Sequence, residues 1–273
     1  MTSPVSRESY AAAKERLESL AADAEAARLQ EIADEVLSVA RMIRREPRLR
    51  RALVDISRPS DARVELLQTL LAGKVSDETL ALLSDLVGGR WSFSGQLLDA
   101  IERLGAEALL ASAERGGDLI DVEDELFRFG QIVDGDSRLA AALSDSTVDG
   151  ERRAELARTL LDGKAKPATV RLVELALAGF GGRSFQTGLS RLVELAAARR
   201  DTTVAYIVSA VVPTDEEEQA LVAKLSRMYG REISLKIDVN PKIIGGISVR
   251  IGSDLYDGTV LRRLSEARAA LTK

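Results

Sequence analysis

The sequence of 273 residues contains no cysteine and no histidine. Without cysteine the chain can form no disulfide, no thiolate nucleophile and no zinc ribbon. Without histidine it lacks the commonest general base and the commonest protein ligand of metal ions. Catalysis would then depend on carboxylates or lysines alone. The composition therefore favours a protein without an active site, and we predict no catalytic residue, no cofactor and no metal.

Aromatic residues are also scarce, at 4%, and no apolar run approaches the ~18–20 residues that span a bilayer. The N-terminal segment MTSPVSRESYAAAKERLESL carries charges and lacks the apolar stretch of a signal peptide. The net charge of −5 gives no basic character for binding nucleic acid. We therefore expect a cytosolic protein that neither inserts directly into a membrane nor binds nucleic acid.

The sequence does contain a long internal repeat, because shifting it by 90 residues aligns it with itself. The segment RVELLQTLLAGK at 63 then falls on RAELARTLLDGK at 153, and DEVLSVARMIRREPRLRRAL at 34 falls on DELFRFGQIVDGDSRLAAAL at 124. After a slip of two residues, SFSGQLLDAIE at 92 meets SFQTGLSRLVE at 184. One register kept through several segments indicates a duplicated domain.

Each copy has the pattern of a chain of amphipathic helices. In copy one, Ser60 or Asp61 is placed to cap one helix and Ser76 to cap the next, while Gly73 suits the left-handed position that ends a helix. We expect copy one to be a six-helix bundle over residues 1–113.

Copy two is expected to be a second helical bundle over residues 114–200, but it has no opening helix of its own. The long segment Gly95–Ala113 can serve as the last helix of copy one and the first of copy two. Gly116 and Gly117 then form the joint between the copies.

After Arg200 the pattern changes from helical to alternating. The β-branched segment TTVAYIVSAVV predicts a buried strand, and Thr214 with Glu217 predicts the capping box of a helix that ends at Gly230. The residues expected to face the core of this part are Leu221, Leu225, Met228, Ile233, Leu235, Ile237 and Val239. Those expected on the solvated face of the second strand are Glu232, Ser234, Lys236 and Asp238. Residues 201–273 are thus an α+β module, and the fold is mainly α: two related helical bundles followed by a small helix-covered β-sheet.

The glycines of IIGGISVRIGSDLYDGTVLRRL, at 243–264, invite comparison with a phosphate-binding loop. Such a loop runs from a strand directly into a helix N-terminus. Here Gly245 and Gly246 lead into a strand, and the final helix begins only after Asp257, whose carboxylate would repel a phosphate. The pattern therefore predicts a tight turn and a helix cap, with the helix continuing through Val260, Leu261, Leu264 and Leu271.

The same stretch resembles the C-terminal signature of the delta subunit of bacterial F-type ATP synthase, the family that includes the mitochondrial oligomycin sensitivity-conferring protein. The residues at matching places are Gly245, Gly246, Arg250, Gly252, Asp257, Gly258, Thr259, Arg263 and Leu264. The likeness extends over essentially the whole chain, with one departure. The usual family member has one helical domain before the C-terminal module, whereas this chain has two and resembles the longer delta subunits of actinobacteria.

The resemblance implies a non-catalytic peripheral-stalk subunit, one copy per complex, on the cytoplasmic face of the cell membrane. Its helical part would bind amphipathic N-terminal helices of alpha subunits and its C-terminal module the b subunit, so that the catalytic head does not rotate with the central shaft. The candidate groove lies between the first and fifth helices of copy one and comprises Tyr10, Lys14, Leu17, Leu83, Leu86 and Val87. The alternative is that its apolar residues only fill the bundle core.

Two other interpretations compete with this one. A helical-repeat scaffold unrelated to the ATP synthase would share the duplication but not the C-terminal signature. An enzyme using carboxylates would need an acidic cluster, for which the candidates are Asp121, Glu123, Asp124 and Glu125. Because acids recur at Asp34-Glu35 in copy one, we favour a helix start that is used twice.

Overall fold

The computed structural model describes residues 4–145, 147–241, 243–252, 254–260 and 262. Within them the chain forms twelve α-helices, a short 3₁₀ turn at Phe180–Gly182 and four β-strands. The helices are α1 Pro4–Asp23, α2 Ala26–Arg45, α3 Pro47–Ala52, α4 Ser60–Leu71, α5 Asp77–Gly88, α6 Ser94–Arg115, α7 Leu119–Gly135, α8 Ser137–Ser144, α9 Gly150–Leu161, α10 Pro167–Leu177, α11 Phe185–Arg199 and α12 Asp215–Tyr229. The strands are β1 Thr202–Ser209, β2 Glu232–Val239, β3 Ile247–Ile251 and β4 Asp254–Asp257. The chain divides into two compact units, Met1–Leu192 and Val193–Lys273.

The helices of the first unit follow the repeat seen in the sequence. Helices α4 and α9 have the same bounds after the shift, and α5 and α10 begin at equivalent positions. The same shift places α1 on α6, which packs against α1, α2 and α5 on one side and against α7, α10 and the 3₁₀ turn on the other. Helix α6 is therefore shared by the two copies, as the missing opening helix of copy two predicted.

A carboxylate on the second helix of each copy caps the start of the fifth. The Ser76 side chain accepts a hydrogen bond from the amide of Thr79, which confirms the predicted cap. The Ser76 hydroxyl donates in turn to Glu35 Oε2 at 2.6 Å, and the Ser76 amide donates to the same oxygen at 3.1 Å. In copy two the equivalent Glu125 Oε2 accepts from the Lys166 amide at 2.9 Å and from the Thr169 hydroxyl. These contacts pair α2 with α5 and α7 with α10.

An arginine on the fourth helix of each copy donates hydrogen bonds to backbone carbonyls. Arg63 of α4 is only 4% exposed. Its Nη1 donates to the carbonyls of Gly89 at 2.9 Å and Leu53 at 3.3 Å, and its Nη2 donates to Gly88 at 3.3 Å. The last carbonyls of a helix have no partner within it, so this guanidinium satisfies the end of α5. Arg153, the equivalent residue, donates to the Leu143 carbonyl at 3.2 Å.

The predicted cap of α4 is wrong, although its end is as predicted. Pro59 stands at the N-cap and offers no side-chain acceptor, so neither Ser60 nor Asp61 caps the helix. Copy two has Asp149 at the equivalent position, and this side chain does accept from the Glu151 amide, at 3.1 Å. Gly73 has the expected left-handed conformation, with φ at 68°.

The second unit is built on a four-stranded sheet with the order β2-β1-β3-β4. Strand β1 pairs with β2 in parallel and with β3 in antiparallel register, and β3 and β4 form a hairpin. The predicted capping box of Thr214 and Glu217 opens α12, and Leu225 of that helix lies in the core of the unit. The other buried members of this core are Ala205, Ile207, Ile233, Val249 and Ile251. These features confirm the predicted fold class.

Three side chains of this unit depart from the predicted pattern. Met228 is 52% exposed because Tyr229, one residue further on, packs against the core instead. Lys236, expected in solvent, is only 4% exposed. It pairs in register with Tyr206 of the central strand β1, and its burial means that the second face of the sheet is covered at this point. Val239 is 38% exposed at the end of β2. Of the final helix, Leu261, Leu264 and Leu271 lie outside the described residues.

Replacing Glu35 with alanine should lower the free energy of unfolding near neutral pH by about 1–2 kcal/mol, because Ser76 and Thr79 lose their common acceptor. Urea denaturation followed by circular dichroism measures the change. The control is Glu31→Ala at an exposed position of the same helix, which should change stability by less than about 0.5 kcal/mol.

The effect of Glu35→Ala should also depend on pH. Burial raises the pKa of Glu35, but the hydrogen bonds from Ser76 and Thr79 outweigh it and hold that pKa below its ordinary value. Such a group stabilises the fold above its unfolded pKa of about 4.3 and loses this contribution as the pH falls through the folded pKa. The stability difference should therefore shrink below about pH 4; a difference that stayed constant under acid would contradict this role.

Replacing Arg63 with methionine should lower the free energy of unfolding by about 2–3 kcal/mol, because the carbonyls at the end of α5 lose their donors in a buried position. Arg152→Met, at an exposed position of α9, is the matched control. Equal effects of the two substitutions would show that Arg63 acts only as a surface charge.

Candidate functional site

The predicted groove between α1 and α5 is closed. Tyr10 is 4% exposed, and the other apolar candidates are fully enclosed where the two helices pack. These enclosed candidates are Leu17, Leu83, Leu86 and Val87. Lys14 alone of the six reaches the surface. The arrangement matches the alternative interpretation, in which the apolar stripe fills the core.

Tyr10 and Lys14 meet a pair of charges on α6 that sequence reasoning missed. Arg103 Nε donates to Glu107 Oε1 at 2.8 Å, and the Arg103 guanidinium carbon lies 4.7 Å from the centre of the Tyr10 ring. Lys14 Nζ lies 3.7 Å from Glu107 Oε2. Burial and the nearby Glu107 raise the pKa of Tyr10, so its hydroxyl stays neutral. The cluster fastens α1 to the shared helix.

The outer edge of the α1–α5 pair is polar. Ser9 Oγ accepts from the Arg90 amide at 2.8 Å, and Arg16 Nε donates to Asp85 Oδ2 at 2.6 Å. Ala12 lies between Ser9 and Arg16 at helical spacing and is exposed. This edge is defined by Ser9, Ala12 and Arg16, none of which was among the six residues predicted for the groove.

The signature glycines hold two backbone segments together. The Gly258 amide donates to the Ile247 carbonyl, and the Val260 amide donates to the Gly245 carbonyl, both at 3.0 Å. A Cβ on Gly246 would lie 2.4 Å from the Gly258 carbonyl oxygen, so a larger residue could not take this place. The matching glycines are therefore explained by the close approach of the turn before β3 to the turn after β4.

The remaining described signature residues also act within the fold. Asp257 Oδ1 accepts from the Thr259 amide at 3.0 Å, and this bond holds the pKa of Asp257 below its ordinary value. The Asp257 carboxylate thus occupies an amide that a phosphate would need. Arg250 lies over the Tyr206 ring at 4.5 Å, and Gly252 turns the β3–β4 hairpin. Arg263 and Leu264 lie outside the described residues.

The acidic candidates for an active site have structural roles. Glu125 caps α10, and Asp121 lies 3.5 Å from Lys166 Nζ. Glu123 is fully buried in α7, and Asp124 is half-buried. Among the residues that the structure describes, no three acidic side chains come together as a metal site. Nor is any helix of the described chain long and apolar enough to cross a bilayer.

Exposed apolar side chains are concentrated in the second unit. Seven of the twelve large hydrophobic residues exposed in the described chain belong to it, although it is the smaller unit. These seven are Val211, Val212, Met228, Val239, Ile244, Leu255 and Tyr256. The larger helical unit exposes only the other five of the twelve.

Comparisons with known proteins extend over the whole chain. The family model described as ATP synthase delta (OSCP) subunit matches residues 101–271. The ATP synthase subunit delta of Salinispora arenicola is 58% identical over 273 residues, and these span 100% of both chains. The protein of the same name from Streptomyces griseus is 46% identical over 262 residues, which cover 96% of each chain. A chain in the cryo-EM structure of the Toxoplasma gondii mitochondrial ATP synthase hexamer has 20% identity and a TM-score of 0.36, and the match covers 62% of this chain and 95% of that one.

The family match begins inside α6 and includes copy two and the second unit, so most of copy one lies before it. Relatives that match from end to end exclude a helical-repeat scaffold unrelated to the ATP synthase. As the signature predicted, the chain belongs to the ATP synthase delta (OSCP) subunit family and is a non-catalytic subunit of that enzyme.

Proposed function

We propose that this subunit is the stator link at the cytoplasmic face of the membrane, present once per complex. Its helical unit holds N-terminal helices of alpha subunits, and its second unit holds the b subunit. The observation that carries the proposal is the full-length match to delta subunits. A link of this kind stops the catalytic head from turning with the central shaft and requires no chemistry of its own.

The b contact is assigned to the second unit because this unit, although smaller, exposes more large apolar side chains than the helical unit. Leu255 and Tyr256 lie on the edge strand β4, and Val211 and Val212 follow the end of β1. Burying such residues against the apolar stripe of a partner helix would remove them from water, which is the main driving force of stable association.

The alpha contact is assigned to the outer edge of the α1–α5 pair. The enclosed residues predicted for the groove support this edge from beneath rather than touching the partner. The equivalent helix of copy two is α6, which is buried at every residue from Leu104 to Ala113. Its surface is not open to a further helix, so the assignment favours copy one.

A synthetic alpha N-terminal peptide should bind the full chain in a calorimetric titration. Ala12→Arg should weaken this binding by about tenfold, because a long charged side chain then stands in the middle of the edge. Ala22→Arg, an exposed position further along the same helix, is the control and should bind normally. A folded chain that releases no heat with any alpha peptide would contradict the alpha contact.

Removing residues 201–273 should leave a folded helical fragment that binds the alpha peptide and no longer binds b. The cut comes one residue after the end of α11, so it severs no helix, and the whole of the first compact unit remains. Circular dichroism tests folding, and co-purification with the soluble part of b tests the loss. A fragment that still captured b would overturn the assignment of b to the second unit.

A further inference from the structure

Positive charge is concentrated at one end of copy one. Six arginines occur among the eleven residues 41–51, in a chain whose net charge is −5. They occupy the last turn of α2 and most of α3. A local surplus of this size in an acidic protein attracts acidic partners and repels basic ones.

A cleft of about 360 Å³ lies between the two copies, and three of these arginines, Arg41, Arg44 and Arg45, line it. One wall is α2, from Asp34 to Arg45, and the other wall is formed by α9 and α10. At 1.5 Å per residue the α2 wall is about 16 Å long, or roughly three helical turns. A groove of this length suits a helix better than a compact ion.

The carboxylates in the cleft are already neutralised by arginines. Glu102 is paired with Arg44, and Asp34 lies 3.2 Å from Arg171 across the boundary between the copies. Glu151 and Glu174 are both paired with Arg158. Asp149 accepts a hydrogen bond from an amide at the start of α9. Because these carboxylates are paired, they leave little negative charge to oppose an acidic ligand. Their number still disfavours the binding of a phosphate ion.

Three arginines of the cleft keep their charge available. In the part of the chain that the structure describes, no carboxylate oxygen lies within 4.0 Å of Arg41, Arg45 or Arg153. Arg41 and Arg45 are exposed on the α2 wall. Ala154 on the α9 wall is only half-buried, and its small side chain allows another backbone to approach closely.

We propose that this cleft binds an amphipathic helix with acidic flanks, contributed by another subunit of the synthase. The apolar stripe of that helix would lie over Ala154 and Ala178, the apolar lining residues that are not buried, and its acidic side chains would pair with Arg41 and Arg45. This docking site is separate from the α1–α5 edge. It rests on the proposed stator function only for the identity of its partner.

The direct test is a titration of the full chain with two synthetic helices that share one leucine and alanine stripe, flanked by glutamates in one and lysines in the other. The acidic helix should bind, more weakly as salt rises, and the double variant Arg41→Glu/Arg45→Glu should weaken binding by at least about tenfold. Arg128→Glu, an exposed arginine of α7 outside the cleft, should leave it unchanged. Equal binding of both helices, or an unchanged affinity of the double variant, would overturn the proposal.

The second test uses the assembled synthase and the absence of native cysteine. Ala178→Cys places a thiol in the cleft, and Ala72→Cys places one at the equivalent end of another helix outside it. Maleimide labelling of Ala178→Cys should be at least about tenfold slower in the complex than in the isolated chain, while Ala72→Cys reacts equally in both. If Ala178→Cys has entered the complex and is labelled there as fast as in the isolated chain, the proposed binding site is wrong. If neither variant co-purifies with the complex, the result counts against the stator function itself. The titration alone then decides whether the cleft binds the acidic helix.

Discussion

The helical unit depends on one constraint, which is that a single helix completes two bundles. Helix α6 must present a packing surface in every direction, so its residues from Leu104 to Ala113 are all buried. Close packing extends to the backbone: a Cβ on Gly105 would lie 2.5 Å from Leu37 of α2. A helix buried all round is usually apolar, yet α6 carries the buried charges Glu102 and Glu107.

Those charges show how the shared helix is fastened to its neighbours. Glu102 pairs with Arg44 of α2 and accepts the Gly181 amide at 3.0 Å, which joins copy one to the turn after α10. Glu107 pairs with Arg103 and faces Lys14 of α1. Removing one partner of a buried pair leaves an uncompensated charge, which is strongly destabilising. The pairs therefore set which helices can neighbour α6, and they close the copy-two surface equivalent to the α1–α5 edge.

Apolar spacing and caps, which are local signals, predicted the helices and the mixed C-terminal sheet, and the 90-residue repeat predicted the duplication and the shared α6. It could not predict what each buried residue faces. The stripe of Tyr10 and Leu17 indicates burial equally well in a core or under a partner, and in the structure both residues are buried within the helical unit. The burial of Arg63 was missed because an arginine is expected at the surface unless the carbonyls that it satisfies are known, and these lie 10 and 26 residues away in the sequence. The burial of Lys236 was missed for a related reason. The alternating pattern assigns each residue to one face of the sheet, but it does not show what covers that face.

The joint between the copies has mechanical consequences for a stator. Gly116 and Gly117 resemble a flexible link in the sequence, but in the structure they close a helix: the Gly116 amide donates to Ser112 at 2.9 Å and the Asp118 amide to Ala113 at 2.8 Å. Force that enters copy one can therefore reach copy two through the hydrogen-bonded backbone of α6 and the pairs of Glu102, without passing through a loose segment. Because α6 belongs to both bundles, bending between the copies would have to break the core of each. Duplication by way of a shared helix thus lengthens the helical unit without adding a hinge.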